Sequence, residues 1–169
     1  MDQKLMIEQL SSHARAIAAL VQDVSDEQSR WKPDEGSWSI LEVVNHLYDE
    51  ERLDFRLRLD IILHRPTDTP PPIDPQGWVT ERGYNQRELG ESLKNFLTER
   101  EASLAWLRSL DSPDWEQRVP TPWGSISAGD MFTAWVTHDT LHLRQLVELH
   151  YAHVVRLGAP YNGEYAGEW

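Results

Sequence analysis

Met131-Phe-Thr-Ala-Trp-Val-Thr-His138-Asp-Thr-Leu-His142-Leu-Arg-Gln145-Leu-Val-Glu-Leu149 is a run without Pro or Gly. Positions 131, 135, 138, 142, 145 and 149 advance by alternating steps of four and three residues, which places them on one face of a helix. That face reads Met131, Trp135, His138, His142, Gln145, Leu149. A core-facing stripe is normally apolar. Here its ends are apolar and its middle carries two imidazoles and an amide. Burying such groups unpartnered costs about 1–3 kcal/mol each, so something must satisfy them. Two His at i and i+4 project the same way from a helix and can share a metal ion.

The rest of the chain supplies three more helical patterns. Residues 3–22 carry Leu5, Leu10, Ile17, Leu20 and Val21 with small alanines between. Residues 38–63 open on the capping box Ser39-Ile-Leu-Glu42 and repeat apolar positions from Ile40 to Ile62. Residues 85–110 carry Leu89, Leu93, Phe96, Leu97, Leu104 and Leu107. The opening stretch, capped at Ser127, runs to about Arg156, where Gly158 and Pro160 stop it. Ser25-Asp-Glu-Gln28 has the capping-box pattern of a short extra turn. Four long helices predict an all-α four-helix bundle, with residues 1–169 as one domain. His64–Gly77 holds Pro66, Pro70, Pro71, Pro72 and Pro75 and cannot be helical throughout. It reads as a long crossover between the second and third helices. A short β-like piece near Gln117–Val119 is the one candidate strand.

With 28 acidic residues against 16 basic ones the formal net charge is −12. That disfavours nucleic acid and anionic membranes as partners, since phosphate contacts need a basic face. There is no cysteine. Disulfides, thiolate ligands and a protein thiol nucleophile are therefore excluded, and a reducing cytoplasm fits. No apolar run is long enough to span a membrane, and the first residues lack a signal-peptide core.

Within a bundle, sites are built from side chains on facing helices. His46, on the second helix, is the best-placed third ligand for the His138/His142 pair. Three neutral imidazoles with an open position suit zinc, nickel or iron. Spacing alone leaves two readings open, metal ligands or hydrogen-bonded core histidines, because the glutamate of a zincin motif is missing. Glu50, at i+4 from His46, and Asp139 are the candidate catalytic or orienting carboxylates. Gln145 could hydrogen-bond in a cleft, and Trp38, Trp78, Trp123 and Trp135 could line one. His13 reads as surface or half-buried, and His150 and His153 as surface. The charged run Asp49–Asp60 reads as a solvated face. Tyr161, Tyr165 and Trp169 make an aromatic tail that is either mobile or docked.

Two segments add a resemblance. Gly36-Ser-Trp-Ser-Ile-Leu-Glu-Val-Val-Asn-His46-Leu and Thr137-His138-Asp139-Thr-Leu-His142-Leu-Arg-Gln145 resemble the paired signatures of the DinB-like proteins. The Trp31–Pro33 turn and Arg100 also fall in familiar places, and the likeness spans nearly the whole chain. It implies a four-helix bundle with a long crossover and a divalent metal on His46, His138 and His142. It also implies homodimers and a small-molecule substrate. Relatives include thiol S-transferases that use low-molecular-weight thiols such as bacillithiol, mycothiol or glutathione. A metal could lower the pKa of such a thiol. The rival expectation is a non-catalytic metal- or ligand-binding bundle with a stress-response role.

Overall fold

A computed structural model of the chain describes residues 1–167. Trp169, and with it any docking of that ring, lies outside them. Helix α1 (Gln3–Val21) is capped by Asp2, whose carboxylate accepts from the Leu5 amide. A short α2 (Asp26–Arg30) follows, capped by Ser25. The second long helix starts at the capping box formed by Ser39 and Glu42 and runs as α3 (Ile40–Glu50), a π turn (Glu51–Phe55) and α4 (Arg56–His64). Across the crossover lie α5 (Pro75–Glu81), which begins with Pro at its first turn, and a 3-10 turn (Tyr84–Gln86). Gly83 joins the two at φ 57°, a left-handed conformation that glycine adopts without strain. Helix α6 (Leu89–Ser109) leads to a hairpin of β1 (Arg118–Thr121) and β2 (Gly124–Ser127), paired antiparallel with Val119 opposite Ile126. Helix α7 (Ala128–Gly158) closes the bundle from a capping box of Ser127 and Asp130.

The core sorts into two halves. At one end Ile7 and Leu10 of α1 meet Leu59 and Ile62 of α4, Leu107 of α6 and Phe132 of α7. At the other Ile17 and Val21 meet Val44, Leu89, Phe96 and Leu149. The first half therefore gathers the starts of α1 and α7 and the ends of the second helix and α6. The chain directions are up, down, down, up. Helix α6 lies parallel to α3, its neighbour, and α7 parallel to α1. A parallel pair cannot be joined by a tight turn. The connection has to climb the length of the bundle, roughly 35–40 Å for helices of this size, which is why so long a segment separates α4 from α6.

The helix boundaries agree with the sequence pattern to within a few residues. Three expectations need correction. The hairpin extends over both Arg118–Thr121 and Gly124–Ser127, beyond the single piece the sequence suggested, because its two strands pair locally with each other. The run from Asp49 to Asp60 is not a solvated face. Asp49, Glu50, Glu51 and Asp54 are all buried, the last two within the π turn. His153 is buried too, edge-on against Trp31, while His150 bridges the Leu20 carbonyl and Gln28. Tyr161 and Tyr165 are exposed and do not dock.

Candidate metal centre

Between the two halves of the core lies a polar layer. Its deepest part is Arg100, 1% exposed, which forks onto Glu51 (Nε–Oε1 2.8 Å, Nη2–Oε2 2.9 Å) and Asp139 (Nη1–Oδ2 2.6 Å, Nη2–Oδ1 2.9 Å). The same guanidinium donates to the Leu10 carbonyl, and the Trp135 indole donates to Glu51 at 3.0 Å. His13 stands 3.5 Å from Asp139. Asp139 is thus committed to Arg100. Burial opposes its charge, but the guanidinium outweighs it and holds the carboxyl below its ordinary range. It does not line the cavity that His138 and His142 face.

On the open side of this layer the three histidines meet. His46 Nε2 is 3.2 Å from His138 Nε2, and His142 Nε2 is 3.1 Å from the same atom. Donor atoms of all three lie within 4.8 Å of one another. His138 and His142 come from successive turns of α7, and His46 comes from the neighbouring α3. Two nitrogens each about 2.0–2.1 Å from one tetrahedral zinc stand about 3.3 Å apart, close to the spacings found. The protonation pattern also fits. His142 Nδ1 donates to Gln145 Oε1 at 2.8 Å, which leaves a lone pair on Nε2. Burial, reinforced by the neighbouring imidazoles, pushes the His46 pKa down to about 2 and that of His138 to about 3. That of His142 is lowered by burial as well. Neutral imidazoles whose nitrogens converge on one point are what a divalent ion requires.

The histidines form the floor of a cavity of about 710 Å³. Trp38 stacks parallel to His142 with 6.3 Å between ring centres and sits 4.8 Å from His46. Phe55, turned inward by the π turn, lies 4.9 Å from His138. Glu50, Gln76, Gln145 and Glu148 supply the polar lining. Glu50 is 4% exposed, and its Oε1 has no hydrogen-bond partner among the described residues. Burial, with the charge and hydrogen bond of Asp54 one turn on, pushes its pKa up to about 8. His46 Nδ1 is likewise buried and unpartnered.

The structure brings together His46, His138, His142, Glu50, Gln145 and Trp38. It sends the other tryptophans elsewhere. Trp135 is in the core, Trp78 is buried against the crossover, and Trp123 is 80% exposed at the hairpin tip. Phe55 and Gln76 were not singled out by sequence. Phe55 stood outside the apolar positions read on the second helix, and it lies at the end of the π turn, where its ring meets His138.

A model of the DinB superfamily matches residues 9–146. A protein of Oceanobacillus iheyensis named "Putative metal-dependent hydrolase" is 28% identical over 145 residues, covering 85% of this chain and 83% of its own length. Among solved structures, YfiT from Bacillus subtilis superposes with a TM-score of 0.79 at 20% identity, over 90% of this chain and 87% of that one. YfiT is described as "a probable metal-dependent hydrolase with an unusual four-helix bundle topology", and the likeness bears on the fold. The matched segment contains all three histidines, the π turn and Arg100, and the chain belongs to the DinB superfamily.

Proposed function

We propose that this protein is a metal-dependent enzyme acting on small molecules, with a divalent ion held by Nε2 of His46, His138 and His142. The observation that carries the reading is the convergence of three neutral imidazoles at the floor of an open cavity, beside the unpartnered Oε1 of Glu50. A closed site with four protein ligands would argue for a structural metal. Here three donors come from the protein and the fourth side is open.

Bound there, the ion would supply Lewis acidity that lowers the pKa of a coordinated nucleophile toward neutrality. The nucleophile is a low-molecular-weight thiol, making the enzyme an S-transferase, or else water, making it a hydrolase like those its relatives are named for. Glu50 accepts the proton of that nucleophile at Oε1 and returns it to the leaving group. A cation at the three nitrogens favours the carboxylate form this needs. Gln145 fixes the ring of His142. Trp38 and Phe55 flank the histidines and exclude water. Gln76 and the polar rim offer hydrogen bonds to a substrate small enough for the cavity.

The test pairs elemental analysis of untagged protein with turnover assays. Thiols are offered with alkylating electrophiles in one arm, and esters and amides in the other. Metal-loaded protein is expected to turn over in one arm. Glu50→Gln should lower kcat by a factor on the order of 10²–10⁴, and His138→Ala should lose both metal and activity. Metal uptake with no turnover above His138→Ala in either arm would leave a non-catalytic metal-binding bundle. No uptake at all would overturn the metal reading itself.

We also propose a homodimer. The exposed Val147, Val154, Val155 and Leu157 on the outer turns of α7 support it. Sedimentation of the wild type against Val154→Lys checks it, and a monomeric wild type would refute it.

A further inference from the structure

A second cavity, of about 830 Å³, opens between the proline-rich crossover and the β hairpin. Its floor is helical, made by Phe55 and Ile62 from the second helix and by Met131 and Ala134 from α7. One wall is Pro70–Ile73, and the other is Val119–Trp123 with Ile126. Both walls are anchored. Arg58 donates to the Pro71 carbonyl at 3.0 Å, and the hairpin is braced by its own ladder. The volume falls in the range of small-molecule sites and is too small for a folded partner segment of any length.

The lining defines what fits. Most of it is apolar. Its charged members are already paired, Asp54 with Arg58 and Asp68 with Arg65 at 3.2 Å. No unpaired charge is left to recognise an ion. Among the described residues, one buried polar side-chain atom of the lining has no hydrogen-bond partner: the hydroxyl oxygen of Thr121, a half-buried residue of the hairpin. Such a hydroxyl can donate or accept once to a ligand.

We infer that this cavity binds a neutral, largely apolar small molecule carrying one hydrogen-bonding group, at a site separate from the cavity that holds the histidines. Phe55 belongs to its floor and also touches His138, so the two sites share one ring. The inference does not depend on the ion.

N-phenyl-1-naphthylamine is a suitable probe, being neutral, apolar and fluorescent, with a single N–H. Its sulfonated analogue, 1-anilinonaphthalene-8-sulfonate, differs by one negative charge. The neutral probe is expected to bind the full-length protein saturably with micromolar affinity, and the sulfonate at least about tenfold more weakly. Ala134→Trp, which fills the floor, should weaken the neutral probe about tenfold or more without changing the circular dichroism. Thr121→Val should weaken it about three- to tenfold. The His46/His138/His142 triple alanine variant should bind it unchanged, so a failure of the metal reading and a failure of this one are separable. Equal binding of the two probes, or no effect of Thr121→Val, overturns the proposal. So does a shift in sedimentation on saturation, which would make the cavity a groove between copies of the chain.

Discussion

At the level of single residues the polar layer decides stability. Arg100 is a buried cation whose charge is matched by two buried carboxylates. Removing it strands both. Arg100→Met should therefore cost about 3–5 kcal/mol, read from urea denaturation, whereas an exposed pair such as Arg144–Glu148 should be worth under about 1 kcal/mol. The histidines give the metal-free protein a pH dependence of known sign. His46 and His138 have folded pKa values pushed down to about 2 and 3, below the unfolded value of about 6.5. The unfolded chain takes up protons that the folded one refuses. Stability is complete above about pH 6.5 and falls as the pH drops below it, by up to about 1.4 kcal/mol per unit for each group. Glu50 acts the other way. Its carboxyl, pushed up to about 8, stays neutral while the unfolded glutamate ionises, so its contribution is lost as pH rises from about 4.5 toward 8. Melting curves of metal-free Glu50→Gln should show a variant that gains on wild type as the pH is raised. A constant difference would contradict the assignment.

The four long helices were legible in the sequence because apolar periodicity and capping boxes are local signals. Ser39 and Glu42 predict a helix start and form one. The π turn was not legible. Glu51–Phe55 contains no Pro or Gly, and its cause is tertiary: Glu51 reaches Arg100 and Trp135 from other helices. The same long-range pairing hid the burial of Asp49, which reads as surface charge until Arg82 and Tyr84 arrive from the crossover. Asp49 accepts from the Tyr84 hydroxyl at 2.6 Å and from Arg82 and Arg52 at 2.5 and 2.8 Å. It pins the end of α5 to α3, and α5 in turn contributes Gln76 to the histidine cavity. Asp49→Ala should cost about 2–3 kcal/mol. It should also speed hydrogen exchange in residues 75–86 ahead of the rest of the chain, as measured by mass spectrometry. The histidine pair was visible as a chemical oddity on one helix face. Its third member, His46, could be named from its place on the second helix and was reinforced by resemblance, but its convergence with the pair depends on α3 and α7 being neighbours.

Across the whole molecule the topology places the candidate site. Parallel pairing of the second helix with α6 forces the long crossover, and the crossover supplies a wall to each cavity. No described helix is long and apolar enough to cross a membrane. Loading with metal at 100 times Kd should raise the unfolding free energy by about 2.7 kcal/mol, with no gain in the triple alanine variant. The division of the core has a mechanical consequence. Two hydrophobic blocks meet at a plane made of ions and imidazoles, where dispersion contacts are fewest and a fault can open. An ion held by His46 of α3 and His138 and His142 of α7 would sit near that plane and rivet together the second long helix and α7, which both cross it. Stripped of metal, the protein should exchange its amides in two separate groups, one per block. Riveted, it should come apart as one, and native-state exchange with and without chelator will tell which.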